Sequence, residues 1–330
     1  MKSIELSHGG GGVQMNRLIH DLFFRHFGNE ILLRGEDAAV LQMEGPLALT
    51  TDGFTVAPIF FPGGNIGKLA IAGTVNDLAM MGAQPQYLAC SFIIEEGFPH
   101  AELEQIVRSM ADELAVSGAR IVCGDTKVVP RGAADGLFIT TSGVGSIKAP
   151  GISAGAIRPG DAILVSRDVG CHGACILMAR DGLQLHSGLE SDCATLWPLV
   201  QALLAEGIVP HALRDATRGG LSAVLNEWAL ASQVGLALSE AAIPVSDPVR
   251  GLCELYGFEP FDLANEGTLV MALPAELAPA AEAVLQRFNG QAACIGEAVA
   301  AHPGKVVLTS AWGSRRYLEL PQGELLPRIC

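Results

Sequence analysis

The sequence predicts a two-domain α+β protein. Strand-like apolar runs and amphipathic helical stretches are mixed in both halves, without the regular alternation of a doubly wound sheet. A Gly/Pro-rich stretch over 149–160 interrupts the pattern near the middle of the chain. The 330 residues, 49 % of them apolar, suffice for two ordinary cores and argue against disorder. The expected division is an N-terminal domain over 1–150, a C-terminal domain over 151–320 and a flexible tail over 321–330.

In the first half, residues 47–51, 87–94, 119–123 and 137–141 read as strands. Residues 100–117 follow Pro99, place Leu103, Ile106, Val107, Met110 and Leu114 on one face, and stop at Gly118, which predicts a helix. A second helix follows Pro62-Gly63-Gly64-Asn65-Ile66-Gly67-Lys68 and runs to Met81. The second half opens with a strand over 162–166, followed by helices near 173–181 and 191–205. Another helix follows Gly219-Gly220, with Leu221, Val224, Leu225 and Trp228 at helical spacing. Strands are expected near 268–272, 292–295, 306–309 and 317–320. Residues 321–330 hold two prolines and no period, so they read as an extended arm that could reach roughly 33 Å.

A net charge of −14 makes nucleic acid and anionic membrane surfaces poor partners. No run approaches the roughly 18 apolar residues of a membrane span, and the first residues, Met1-Lys2-Ser3-Ile4-Glu5-Leu6-Ser7-His8, lack an apolar signal core. A cytoplasmic location is the expectation. The eight cysteines include no Cys-x-x-Cys pair and are expected as free thiols. Cys90, Cys123 and Cys294 lie in apolar runs and read as buried fillers. Cys171-His172-Gly173-Ala174-Cys175 fits no common zinc spacing. Cys330 stands apart as the last residue.

Asp37, Asp52, Asp77 and Asp125 each sit beside glycine or at the end of an apolar run. One such Asp is ordinarily a turn residue or helix cap, but several together suit Mg²⁺, which takes hard oxygens and substrate phosphate. His8-Gly9-Gly10-Gly11-Gly12 precedes a helix and could lay backbone N–H groups over phosphates, or could be a plain N-terminal arm. Neither glycine cluster is a Walker A or Rossmann fingerprint. In the second half, Asp215 and Thr217 could be helix caps, while Arg218 beside Gly219-Gly220 could clamp a phosphate. Glu266 lies between Asn265 and Gly267 in an apolar context and needs a partner, for which Lys127 is a candidate. A thiol on a mobile end can carry an acyl group between sites; its bland alternative is an accident of where the chain stops.

Long motifs then carry a resemblance over nearly the whole chain. They are the 8–12 opening, Phe60-Phe61-Pro62-Gly63-Gly64-Asn65-Ile66-Gly67-Lys68, Thr74-Val75-Asn76-Asp77-Leu78-Ala79 with Met81-Gly82-Ala83, and Glu95-Glu96-Gly97. Gly124-Asp125-Thr126-Lys127-Val128-Val129, residues 215–220, Leu263-Ala264-Asn265-Glu266-Gly267 and Pro327-Arg328-Ile329-Cys330 complete the set. The chain resembles the HypE family of carbamoyl dehydratases, which make cyanide ligands for [NiFe] hydrogenase. The cysteine tail separates that family from its aminoimidazole ribonucleotide synthetase-like relatives. One departure is Cys171 before His172-Gly173, where the family often has Asp.

The resemblance implies the two-domain aminoimidazole ribonucleotide synthetase-like fold, with the N-terminal sheet pairing across a homodimer and ATP in the cleft between domains. It implies Mg²⁺ on Asp37, Asp52, Asp77, Asp125 and Asp215. Nucleotide contacts would come from Gly9, Gly10, Gly11, Gly12, Lys68, Asn76, Asp77 and Arg218. Cys330 would receive a carbamoyl group from the carbamoyltransferase HypF and, after dehydration, pass its product to the HypC–HypD complex. Glu266 with Lys127 is the expected proton relay. The rivals are a small-molecule kinase or synthetase of the same superfamily, indifferent to the tail, and a non-catalytic thiol carrier or scaffold.

Overall fold

The computed structural model describes residues 3–10, 12–181, 188–321, 326 and 328–330. The chain opens with α1 (Val13–Leu18), a π-helical stretch over 19–24, and α2 (Arg25–Phe27). It continues through β1 (Leu47–Phe54), the short hairpin β2 (Phe60–Phe61) and β3 (Gly64–Asn65), α3 (Ile66–Met80) and β4 (Ala83–Glu95). The first half ends with α4 (His100–Ser117), β5 (Arg120–Val129) and β6 (Leu137–Ile147). A four-stranded sheet forms in the order β1-β6-β4-β5, with only the β4–β5 pair parallel.

Side chains alternate along a strand, and β1 obeys this: Leu47, Leu49, Thr51 and Gly53 face outward, while Thr50, Asp52 and Phe54 turn inward. The inward face is covered by α3, which lies across β1, β6 and β4 and against α4. Asn65 caps α3 by accepting from the amides of Gly67 and Lys68. Gly67 allows the two helices to meet, since a Cβ there would lie 2.5 Å from the Ile106 carbonyl oxygen. The period seen in 100–117 gives α4 its buried face, and Gly118 ends it in a left-handed conformation at φ +74°.

The second half contains β7 (Asp161–Val165), α5 (Cys171–Asp181), α6 (Trp197–Ala205), β8 (Ala212–Asp215), α7 (Gly220–Ser232) and β9 (Gly235–Ser239). After these come α8 (Asp247–Tyr256), β10 (Leu269–Pro274), α9 (Ala278–Gln286), β11 (Ala293–Val299), β12 (Val306–Thr309) and β13 (Arg315–Tyr317). Seven strands form one sheet in the order β13-β12-β9-β11-β7-β10-β8. Its last strand, β8, lies against α3 of the first half. One apolar core is continuous from α3 and α4 into α6, β10 and α9.

Some expectations shift. Residues 191–196 are not helical; α6 starts only at Trp197, with Pro198 in its first turn, where a missing N–H costs nothing. Strands β8 (Ala-Leu-Arg-Asp) and β9 (Gly-Leu-Ala-Leu-Ser) hold no β-branched residue and do not stand out in the sequence. The strand expected at 317–320 lies at Arg315–Tyr317. Cys294 is exposed rather than buried because side chains alternate along β11 and it is Ile295 that turns into the core, while Cys123 is only half-buried. No helix among the described residues is long and apolar enough to cross a membrane.

Candidate active site

A cleft of about 700 Å³ separates β1 and α3 from β8, Arg218 and the loop carrying Glu266. Strand parity turns Asp52 toward α3, and helical spacing brings Thr74 and Asp77 to the same side. Thr50 Oγ1 donates to Asp77 at 2.6 Å, and Thr74 Oγ1 donates to Asp52 at 3.0 Å. Asp215 ends β8 opposite them, held in register by its pairing with Leu269 of β10. Gly219 and Gly220 then turn the chain into α7 with φ of +75° and +58°. A Cβ on Gly220 would lie 2.5 Å from the carbonyl oxygens of Phe261 and Leu263, so this turn needs glycine. Neither Asp215 nor Thr217 caps α7; the N-cap is Gly219. Both line the cleft instead.

Glu266 is 2 % exposed, and its Oε1 has no hydrogen-bond partner among the described residues. Its loop is fixed from below by Asp192, whose carboxylate accepts from the Glu266 amide at 3.1 Å, the Gly267 amide at 3.0 Å and Thr268 Oγ1 at 2.8 Å. The electrostatics are those of carboxylates crowded away from water. Burial raises the Asp52 proton affinity, and Asp77 adds to it. Burial and then Asp77 push Asp215 up to about 7. Burial, followed by Asp215 and Asp192, raises Glu266 well above the carboxylate range, against the opposing pull of Arg218.

Cys330 also lines this cleft. Its backbone is pinned beside residues 55–57: the Thr55 amide donates to the Cys330 oxygen at 3.0 Å, and the Ala57 amide donates to the Arg328 oxygen at 3.2 Å. Burial, then Glu266, pushes the Cys330 thiol up to about 12. A buried carboxyl group that can take a proton, an arginine and a thiol thus meet in one cavity. The arrangement suits acid–base chemistry on a group carried by sulfur.

Other expected site residues lie elsewhere in this chain. Asp37 and Asp125 line a second cavity of about 430 Å³ beneath α1, across the sheet from β1. Lys127 pairs with Asp125 at 2.8 Å, both side chains more than half exposed, and does not meet Glu266. The reason is topological, because Lys127 belongs to β5 at the edge farthest from the cleft. Gly9 packs on Val128 of that same strand, Gly10 and Gly12 neighbour it in the chain, and Gly11 lies outside the described residues. Lys68 donates to the Gly63 carbonyl at 3.1 Å near the start of α3. Asn76 is buried and donates to the Ala194 carbonyl while accepting from the Leu196 amide at 2.7 Å, so it ties α3 to the second half. The five carboxylates expected to hold Mg²⁺ therefore divide, in this chain, into Asp52, Asp77 and Asp215 in the cleft and Asp37 and Asp125 outside it. Among the described residues, no three His, Cys, Asp or Glu side chains form a ready-made metal cluster.

The family models for the N-terminal and C-terminal domains of AIR synthase related proteins match residues 35–147 and 158–309. The chain is 49 % identical to the carbamoyl dehydratase HypE of Rhodobacter capsulatus over 334 residues, covering 99 % of this chain and 98 % of that protein. The chain belongs to the HypE family. A crystal structure of the hydrogenase maturation protein HypE in complex with ATP superposes with a TM-score of 0.95 at 49 % identity, covering 99 % of both chains. HypE from a HypE–HypF complex matches with a TM-score of 0.81 at 42 % identity, covering 92 % of this chain and 99 % of that one.

Within this HypE family chain, sequence reasoning missed His172, Arg180 and Thr55, which hold the tail, and Asp192, which holds the Glu266 loop. Their signals were weak. His172 sat in a motif weighed only for zinc, and Asp192 fell in a stretch read as helix. Thr55 and Arg180 act on backbone carbonyls, which leave no mark in the sequence of the segment they bind.

Proposed function

We propose that the chain is an ATP-dependent carbamoyl dehydratase that converts an S-carboxamide on Cys330 to an S-cyanate for hydrogenase maturation. The observation that carries this reading is the position of Cys330, which lines the same cleft as Asp52, Asp77, Asp215, Arg218 and Glu266. A small-molecule kinase would have no use for a thiol docked there.

The carbamoyl oxygen is a poor leaving group as hydroxide. ATP supplies the phosphoryl group with which that oxygen departs as phosphate. Asp52, Asp77 and Asp215 fit a magnesium ion, since they offer hard oxygens, and burial followed by repulsion from Asp77 raises the proton affinities of Asp52 and Asp215. They form no closed cage, so phosphate oxygens would complete the shell, as Mg²⁺ commonly requires. Arg218 would face the phosphates as a fixed cation. Glu266, whose Oε1 has no partner among the described residues, is assigned the protons that leave the carbamoyl nitrogen. Asp192 and Asn76 hold its loop in place. Asp37, Asp125, Lys127, Lys68 and the glycines of 9–12 are not given steps within a single chain. A homodimer is part of the proposal, supported by the outward face of β1, where Leu49 is 79 % exposed. The carbamoyl group is proposed to come from a HypF-type transferase, with the HypC–HypD complex as acceptor.

The test is mass spectrometry of the C-terminal peptide after carbamoyl loading and then ATP. Cys330 should gain one carbamoyl group and then lose one water only when ATP is added, and Cys330→Ala should do neither. Carbamoyl that persists through ATP turnover would reject the dehydratase reading and favour a carrier.

A further inference from the structure

The last three residues are held by their backbone, and every one of their carbonyl oxygens is taken. The Arg328 oxygen accepts from the Ala57 amide at 3.2 Å and from Arg180 Nη2 at 2.6 Å. The Ile329 oxygen accepts from His172 Nε2 at 2.8 Å. The Cys330 oxygen accepts from the Thr55 amide at 3.0 Å and from Thr55 Oγ1 at 3.2 Å. Two amides of residues 55–57 thus grip alternate carbonyls of the tail, at 330 and 328, without a strand ladder forming between the segments. Arg180 spans both sides of the pairing, because its Nε also donates to the Ala57 carbonyl at 2.7 Å. Arg328 donates back to the Thr55 carbonyl at 2.8 Å and forms an ion pair with Asp135.

His172 itself is fully buried at the start of α5. A carbonyl oxygen can only accept, so Nε2 carries the proton. Burial lowers the imidazole proton affinity, and in the neutral ring Nδ1 accepts from the Ser191 hydroxyl at 2.7 Å. Phe61 packs edge-on against the ring at 5.4 Å. A buried histidine whose tautomer is set from behind and whose free edge meets the tail is a preorganised donor. His172 meets the Ile329 backbone and not its side chain, so it fixes the register, and with it where the Cys330 sulfur lies.

We propose that His172, Arg180 and Thr55 form a latch that captures the backbone of residues 328–330 and sets the exchange of Cys330 between the cleft and solvent. These are positioning residues: they touch the tail backbone and not the reacting atoms. The inference rests on the dehydratase reading for its purpose but not for its test. In the latched state Cys330 is half-buried in the cleft and its thiol is held protonated, so it is a poor nucleophile toward any carbamoyl donor. Loading requires release and dehydration requires capture. Weakening the latch should therefore move the two half-reactions in opposite directions.

The test is alkylation of the full-length, nucleotide-free protein with iodoacetamide, followed cysteine by cysteine by mass spectrometry. Arg180→Leu and His172→Leu should each raise the Cys330 rate about tenfold, the size expected for one hydrogen bond of this kind, while buried Cys90 and Cys193 stay protected. His172→Gln, which keeps a donor near the Nε2 position, should return the rate close to that of the unaltered protein. In the carbamoyl assay, Arg180→Leu should load faster and dehydrate more slowly. An unchanged Cys330 rate in Arg180→Leu, or parallel acceleration of Cys90 and Cys193, would overturn the latch. Should His172→Leu fail to fold, Arg180→Leu alone decides, because Arg180 is only half-buried near the end of α5. If the dehydratase reading fails instead, the unaltered protein loses no water while the alkylation result still stands.

Discussion

The carboxylate floor of the cleft and the dock of the tail lie side by side and follow opposite rules. In the dock, each backbone oxygen of residues 328–330 has a donor, and Ile329 is buried against apolar neighbours. In the floor, Asp52, Asp215 and Glu266 crowd together with raised proton affinities, and Glu266 Oε1 is left without a partner. Burying polar groups without partners costs free energy, and a fold keeps such an arrangement where a ligand or a reaction completes it. The dock is finished as it stands. The floor awaits nucleotide, cation and the group that the tail delivers.

The sharpest way to break that contrast is to neutralise the unpartnered carboxyl group. Glu266→Gln retains shape and the Asp192 contacts, which involve only backbone and neighbours. It should lower the rate of water loss from carbamoylated Cys330 by about 10²–10⁴-fold, the range for a general base, with nucleotide affinity unchanged in equilibrium binding. An undiminished rate would assign the protons elsewhere.

A smaller effect tests the strain in the floor without any chemistry. Asp215 has a raised folded-state value of about 7, against about 4 unfolded. Its burial therefore costs nothing at low pH, costs progressively more as pH rises from about 4 toward 7, and the penalty levels off above that. Asp215→Asn removes the titration. The variant should exceed the parent in thermal stability at pH 8, and by less at pH 5, in the absence of nucleotide. A pH-independent difference would mean that burial, with Asp77 beside it, does not hold the Asp215 proton affinity up as described.

Much of the fold was legible in the sequence where periodicity is long. The helix over 100–117 and its stop at Gly118 are matched residue for residue, and the short β12 was legible too, because Val306-Val307-Leu308-Thr309 is an unbroken β-branched and apolar run. The equally short β8 was not: Ala212-Leu213-Arg214-Asp215 is half charged and holds no β-branched residue, yet it carries Asp215 to the cleft. The same split runs through the site. Asp52, Asp77, Asp215, Glu266 and Cys330 stand in recognisable motifs and meet in space. Lys127 also stands in a motif, but motif membership says nothing about which edge of a sheet a strand occupies, and β5 lies far from the cleft. The tail dock was the least legible. Backbone-to-backbone bonds leave no residue signature, and His172 stood out only within a motif that fits no common zinc spacing and departs from the family at Cys171.

The central claim is that the carbamoyl oxygen leaves Cys330 bound to phosphorus. It is tested most directly by loading Cys330 with an ¹⁸O-labelled carbamoyl group, adding ATP, and analysing the released inorganic phosphate by mass spectrometry. One ¹⁸O per phosphate, in step with water loss from the C-terminal peptide, is the expected result. Label released into solvent water, with unlabelled phosphate, would contradict it.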